Sequence, residues 1–326
     1  MKRLVLLAAV TLSACDNAGA SRVSGITATG VIRGSVYFDA NGSRSEDAAD
    51  VPRAGARLRL LSLGARDTIL RATTAPDGTF RLSGVPVGTY AMVIDSTSGG
   101  DSAIVIPPSA PTVTVVPNDS VEWVGSLSFP IRTIAQARTL APGTTRVFVT
   151  GVALNARTTF SDTTLHLVDV GGAIRATRVR PSTVAFATGD SIRVRARVAT
   201  RLGQVVLDDV TVFIIGATFV PPAPTLSTLQ ASIAQSGARD ADLIRLSDAQ
   251  VTDSATVGGN LTMTFNDGSG PVTVVLDRAA DIGFRSPFPP GEYRAPNRYD
   301  VTGVLVPTGI GTWVVKPRSP LDLVRR

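Results

Sequence analysis

Residues 30–61, GVIRGSVYFDANGSRSEDAADVPRAGARLRLL, decide the fold class. Alternation runs from Val31 to Phe38, breaks at the polar loop 39–50, and resumes through Ala56-Arg57-Leu58-Arg59-Leu60. Successive side chains of a strand point to opposite faces. Ala56, Leu58 and Leu60 therefore share one face, and Arg57 and Arg59 the other. The same pattern continues downstream. Asp77-Gly78 between short strands is a hairpin signal. Gly84-Val85-Pro86-Val87-Gly88-Thr89-Tyr90 leads into a strand at 91–94, and strand signals recur at 111–116 and 121–129. Residues 99–111, rich in Gly, Ser and Pro, read as a long loop within the unit. Regular short strands separated by turn residues predict a β-sandwich over residues 30–130.

Three motifs in this unit carry a resemblance: Phe38-Asp39-x-Asn41-Gly42, Asp77-Gly78-x-Phe80-x-Leu82 and Pro86-x-Gly88-x-Tyr90. Together the unit resembles the SdrD B-like domains of bacterial surface adhesins and the neighbouring carboxypeptidase-regulatory-like (prealbumin-like) domains. The resemblance implies a seven-stranded sandwich used as a stalk, spacer or binding module. Gly88 would then take a tight turn and Tyr90 enter the core.

The loop 39–50 is the most chemically suggestive segment. With Asp39 as the first position, Asn41, Ser43, Ser45, Asp47 and Asp50 supply oxygens at the third, fifth, seventh, ninth and twelfth, the spacing of a Ca²⁺ loop. The adhesin-type resemblance implies calcium in the same place. Two residues depart from the pattern: Arg44 stands where a sharp turn prefers Gly, and Asp50 is shorter than the usual bidentate Glu. Two readings stand side by side, a Ca²⁺ site with an affinity of about 10⁻⁴–10⁻³ M and a solvated acidic loop.

Residues 131–326 read as two repeats. The first opens with a short helix at 134–138 and continues with strands at 146–154, 164–169, 173–179, 191–200 and 204–214. The second opens with a helix at 226–235, apolar at Leu226, Leu229 and Ile233 and ended by Gly237. Its strands lie at 242–252, 260–266, 272–276, 298–306 and 311–316. Leu167-Val168-Asp169-Val170-Gly171-Gly172 answers Phe265-Asn266-Asp267-Gly268-Ser269-Gly270. Five strands per unit resemble an OB-fold, and more closely the tandem OB-like domains of exported bacterial lipoproteins and the accessory domains of some secreted nucleases. The expected architecture is all-β: one Ig/prealbumin-like sandwich (30–130) followed by two OB-like five-stranded barrels (131–218 and 219–326).

OB-folds bind oligonucleotides or oligosaccharides on a strand face. The first barrel offers Arg175 and Arg178 on one strand, and Arg193, Arg195 and Arg197 on one face of another. Single-strand binding also needs aromatic platforms. Here there are only Phe148, Phe160, Phe186 and Phe213, so an arginine-decorated solvent face is the plainer expectation. In the second barrel Phe284, Phe288, Tyr293 and Tyr299 surround a loop carrying Pro287, Pro289, Pro290 and Pro296, which reads as a cap over the barrel, the alternative being a ligand mouth. The one histidine, His166, falls on the face opposite Leu165 and Leu167 and is expected to be exposed. No Gly-x-Ser-x-Gly elbow accompanies it, no His/Cys cluster offers a zinc site, and no pair stands out among the 26 acidic residues. The chain is expected not to be an enzyme.

The N-terminus gives the compartment. Lys2 and Arg3, an apolar run from Leu4 to Leu12, and Leu12-Ser13-Ala14-Cys15 describe a secretory signal (1–14). Its ending resembles the lipobox of bacterial lipoproteins, which implies cleavage before Cys15 and lipidation of its thiol; two or more acyl chains anchor stably. Residues 15–29 are a small, polar tether. Cys15 is the only cysteine, so no disulfide framework supports the fold. With 44% hydrophobic but only 5% aromatic residues, the cores are built of Val, Leu, Ile and Ala. The formal charge of +6, less Lys2 and Arg3, leaves +4, suited to solubility or mild attraction to anionic surfaces. The expectation is an exported, lipid-anchored, non-catalytic binding or scaffold module of the cell envelope. Its partners would be the membrane and envelope proteins. The alternatives are a glycan- or nucleic-acid-binding protein and an accessory subunit of a secreted enzyme.

Overall fold

The computed structural model describes residues 28–99, 103–108, 110–143, 146–180, 185–280 and 292–326. The signal, Cys15 and the tether as far as residue 27 lie outside the described residues, as do Phe284, Pro287, Phe288, Pro289 and Pro290. The described chain is all-β.

The first unit contains β1 (Thr29–Asp39), β2 (Val51–Pro52), β3 (Arg57–Ser62), β4 (Thr68–Thr73), β5 (Thr79–Pro86), β6 (Gly88–Ile94), β7 (Ile104–Ile106), β8 (Thr112–Val115) and β9 (Ser120–Ser128). One sheet runs β2-β1-β9-β7 with β5 also on β1; the other runs β4-β3-β6-β8. Ile32, Val36, Leu58, Leu60, Met92, Trp123 and Leu127 meet between them. Tyr90 enters this core, and its hydroxyl donates to the Pro86 carbonyl at 2.9 Å.

Two expectations change here. Asp77-Gly78 is a corner rather than a hairpin. It leads from β4 in one sheet to β5 in the other, with Gly78 at φ +77° and Thr79 N–H donating to Asp77. A turn dipeptide specifies a reversal, but not which sheet receives the next strand. The stretch 99–111 is also not all loop, because Ile104–Ile106 pairs with β9 as an edge strand.

The second unit holds β10 (Ile131–Arg132), α1 (Ile134–Arg138), β11 (Arg146–Ala153), β12 (Leu165–Asp169), β13 (Gly172–Val179), β14 (Asp190–Arg201) and β15 (Gln204–Ala217). Its order β11-β12-β13-β15-β14 closes by pairing β14 with β11, giving a five-stranded barrel. The third unit holds α2 (Thr228–Ser232), β16 (Leu243–Val257), β17 (Asn260–Asn266), β18 (Pro271–Leu276), β19 (Arg298–Gly309), β20 (Thr312–Lys316) and β21 (Leu323–Arg325). It repeats that order, with β16 closing on β19. Each barrel has its own core, mainly aliphatic in the first and joined by Phe265, Tyr299 and Trp313 in the second. In the second, Tyr299 is buried against Phe265, and Tyr293 packs on Tyr299 with ring centroids 5.6 Å apart.

The sequence repeat has a physical purpose. Asp169 accepts from the Ile134 N–H at 2.8 Å and from Gly171 N–H, tying the first turn of α1 to the β12–β13 turn. Asp267 does the same for α2, accepting from Thr228 N–H at 3.0 Å and from Ser269 N–H. Each helix also carries a capping box, Thr133 with Gln136 and Ser227 with Gln230. The second helix is shorter than expected. Its cap at Ser227 leaves Leu226 outside the helix and buried, whereas Leu229 and Ile233 are half exposed. Ala231 and Ala234 fill the core side instead.

Candidate functional site

In the loop 39–50 three carboxylates hydrogen-bond within the loop itself, with Asp39 buried, Asp50 half-buried and Asp47 exposed. Asp39 is fully buried; one oxygen accepts from Gly42 and Ser43 N–H, the other from Arg44 N–H. Asp50 accepts from Ala40 and Asp47 N–H, and Asp47 from the Asn41 amide and Ala49 N–H. Asn41 Oδ1 receives Ser43 N–H, and the Ser43 hydroxyl donates to the Ser45 carbonyl. The Asp47 pKa is lowered, chiefly by the Asn41 amide, and that of Asp50 is raised, chiefly by burial. Backbone N–H groups and the Asn41 side-chain amide thus take up the carboxylate oxygens of the expected calcium set. Among the described residues no group of three or more His, Cys, Asp or Glu converges on a common metal position.

With Asp39 folded in, the start of the loop presents the carbonyls of Ala40, Asn41 and Gly42 to the first barrel. Arg193 Nη1 donates to the Asn41 and Gly42 carbonyls, and Arg195 Nη1 donates to the Ala40 carbonyl at 3.2 Å. Gly42, at φ +74°, sits against Phe148 and Arg193, where a Cβ would come within 3.1 Å of the Arg193 side chain and 3.2 Å of the Phe148 ring. Beside it a chain of rings crosses the joint. Phe38 meets Phe129 at 5.1 Å, Phe129 meets Phe148 at 6.1 Å, and Phe148 meets Phe213 at 6.2 Å. A cleft of about 410 Å³ opens next to the contact, lined by Asn41, Ser43, Arg193, Phe213 and Ile215 among others.

The five arginines proposed as one anionic-ligand face therefore separate into three environments. Arg193 and Arg195 are half-buried beneath the sandwich loop, and burial lowers the Arg195 pKa. Arg175 is 7% exposed and lies within electrostatic reach of Asp240 of the second barrel. Only Arg178 and Arg197 remain exposed. The alternation placed Arg193, Arg195 and Arg197 correctly on the outward side of β14, but outward here means toward another module.

The exposed pair has company that sequence reasoning missed. Where β11 begins, β13 ends and β14 turns into β15, Arg146, Arg178, Arg180, Arg197 and Arg201 gather around Asp208 and Asp209. Arg178 and Arg201 both pair with Asp208, and Arg146 and Arg180 both pair with Asp209. The Arg178 hydrogen bond is the main cause holding the Asp208 pKa down at about 2. Asp208-Asp209 in an otherwise apolar strand was the available signal. Asp209 at φ +56° lies in the bulge that turns adjacent carboxylates to two different arginine pairs.

His166 is not on a solvent face. It is fully buried between the barrels, its ring edge-on to Phe160 at 5.8 Å. Asn155 uses its Nδ2 on the Ala156 and Thr164 carbonyls, so its Oδ1 accepts, and the His166 Nδ1–H donates to it at 3.2 Å. Burial first, then Arg175 and more weakly Lys316, depress the His166 pKa to about 3; Asp162 opposes them. Around it Arg138 donates to the Ala173 and Asp240 carbonyls, Trp313 Nε1–H donates to Asp240 at 2.8 Å, and Lys316 pairs with Asp277 at 3.2 Å. Lys316 also lies 4.5 Å from the Phe160 ring centre. Leu154, Phe160, Ala173, Ala241, Leu243 and Val304 form a small apolar cluster spanning both barrels.

No protein-family model matches the chain, and no curated protein matches it. Among solved structures it is similar to a minor pilin of Streptococcus agalactiae (18% identity, TM-score 0.23), covering 31% of this chain and 45% of the pilin, so the chain spans under half the pilin's length. A murine DNA-binding protein bound to double-stranded DNA matches at 8% identity and TM-score 0.29 over 52% of this chain and 92% of that one. The Bacillus anthracis TIE protein matches at 11% identity and TM-score 0.24 over 89% of this chain and 50% of its own. TM-scores this low carry no argument about the fold or the function of this chain.

Proposed function

We propose that the chain is an exported, lipid-anchored, non-catalytic scaffold of the cell envelope, whose three modules behave as one body. The observation that carries the reading is the sandwich–barrel joint, where Arg193 and Arg195 hold the carbonyls of Ala40, Asn41 and Gly42. Guanidinium donors placed on a loop's backbone fix its position more tightly than apolar contact alone. The second joint adds Arg138 donating to the Asp240 carbonyl, the Ser161 hydroxyl donating to Asp277 at 2.8 Å, and Lys316 reaching Asp162 at 3.7 Å. A non-catalytic role fits a histidine sealed between domains, with Nδ1 committed to Asn155 and a pKa far below neutrality. Anchoring through Cys15 belongs to the same proposal and is supported by the Leu12-Ser13-Ala14-Cys15 motif.

The test is small-angle scattering of the full chain beside Arg193→Ala/Arg195→Ala. A single rigid profile for the wild type and a broadened, more extended one for the variant are expected. Scattering from freely jointed modules in the wild type would overturn the scaffold reading. Anchoring is tested separately: Cys15→Ser should abolish fatty-acid labelling and release the protein from the membrane fraction.

A further inference from the structure

The arginine rim at one end of the first barrel has a composition that internal pairing does not explain. Five guanidiniums (Arg146, Arg178, Arg180, Arg197 and Arg201) face two carboxylates, Asp208 and Asp209, so three positive charges are left over. The arginine side chains at 178, 180 and 201 are 68%, 55% and 45% exposed, while those of Asp208 and Asp209 are only 8% and 25% exposed. The negative charge is thus held behind and the positive charge in front. Arg197 is exposed as well, with Arg146 across from it on β11 and Asp208 on β15.

At the tip of this rim the β14–β15 hairpin turns through Leu202 at φ +52° and Gly203 at φ +76°, and Leu202 is 43% exposed. The turn thus leaves an aliphatic side chain partly exposed beside Arg201. Basic side chains beside such an aliphatic tip suit a bilayer interface: guanidiniums reach lipid phosphates and the apolar tip enters the headgroup boundary. A single-stranded nucleic acid would want exposed aromatic rings to stack on. Phe148 is fully buried, and Phe213 is half-buried with Arg195 packed over its ring.

We propose that this rim is a docking surface for an anionic phospholipid bilayer, orienting the protein on the membrane that its lipid anchor reaches. The inference rests on the anchoring in the proposed function, since a tether keeps the rim at high effective concentration over the membrane. Its test does not depend on the anchor.

The experiment uses the full chain carrying Cys15→Ser. Co-sedimentation is measured with vesicles of phosphatidylcholine alone and with vesicles of phosphatidylcholine mixed with phosphatidylglycerol. Arg197→Glu/Leu202→Asn on the same background is the comparison; both positions are exposed, and Asn tolerates the positive φ. Both chains share the same N-terminal apolar run, so their difference reports the rim. Binding to the mixed vesicles should exceed binding to the neutral ones, fall as salt is raised, and weaken by roughly tenfold or more in the double variant, since each basic residue near an anionic surface is worth about 1 kcal/mol. Equal binding to both vesicle types would overturn the proposal, as would an unchanged double variant with native circular dichroism. Tighter rim-dependent binding to a single-stranded oligonucleotide than to the anionic vesicles would replace the membrane with nucleic acid as the partner. Absence of fatty-acid labelling on the wild-type chain together with rim-dependent vesicle binding would refute the anchor and leave the rim standing.

Discussion

Replacing His166 with Gln should change how the protein responds to acid more than how it behaves at neutral pH. The ring is sealed between the barrels with its pKa at about 3 against an ordinary value of 6.5. Unfolding releases it into water, where it takes up a proton near 6.5. Between those two values the unfolded state therefore binds more protons than the folded one. The histidine's neutral burial costs nothing extra above pH 6.5, and stability is lost as pH falls from there toward 3. The slope is about 1.4 kcal/mol per pH unit, so between pH 7 and pH 5 the loss attributable to His166 is about 2 kcal/mol. Burial raises the pKa values of Asp240 and Asp242, which contribute with the opposite sign. Both chains carry them, so the difference between wild type and His166→Gln isolates the ring. Urea unfolding at a series of pH values is the assay, with the two stability curves converging or crossing as pH drops. Parallel curves from pH 7 to pH 5 would mean that the ring already carries its proton in the folded protein or stays hydrated, and the buried neutral histidine would be wrong.

Three further outcomes follow from individual contacts. Asp39→Ala strips the acceptor from the N–H groups of Gly42, Ser43 and Arg44; a loss of about 2–4 kcal/mol is expected by urea unfolding, equal in EDTA and in millimolar Ca²⁺. A calcium-dependent rise of the wild-type melting midpoint, absent in the variant, would instead establish the calcium proposal for this loop and mean that the carboxylates turn from backbone donors to a cation. Gly42→Val places a Cβ 3.1 Å from Arg193 and 3.2 Å from Phe148 at φ +74°, and should cost about 1–3 kcal/mol while loosening the module contact in scattering; an unchanged profile would show that the joint does not depend on this close approach. Asp169→Ala and Asp267→Ala each untie a helix from its barrel and should each lower stability by about 1–2 kcal/mol, with the Asp267 change the larger because that carboxylate also accepts from the Thr228 and Ser269 hydroxyls.

Much of the scaffold is legible in residue alternation, because each strand has one face in a core of its own unit. Leu58 and Leu60, Leu165 and Leu167, Met263 and Phe265 all point where period two places them. Leu226, Leu229 and Ile233 look like a helical stripe and so suggest a second helix longer than the one that forms. Only the capping box at Ser227, together with Asp267 holding the Thr228 N–H, shows where the helix starts. That pairing was visible as a repeat of Ser/Thr-x-x-Gln ahead of a distant Asp, and its meaning is a hydrogen bond that sequence spacing alone does not display.

The outward faces were harder to read, for a reason that His166 and the arginines share. Alternation tells which residues leave the core of a module but not whether water or another module meets them. His166 leaves the first barrel's core on the side facing the second barrel, so the residue expected in solvent is fully buried. Arg193, Arg195 and Arg197 leave it together on β14, yet the sandwich loop covers the first two and stops short of the third. The loop and the arginine face, read separately as a cation site and an anion site, meet each other. With Asp39 folded onto the loop's own N–H groups, the carbonyls of Ala40, Asn41 and Gly42 face the barrel, and these are the acceptors an arginine pair requires. The positive charge left for an outside partner therefore lies at the barrel's rim, where Arg178, Arg180 and Arg201 outnumber the aspartates they lean on.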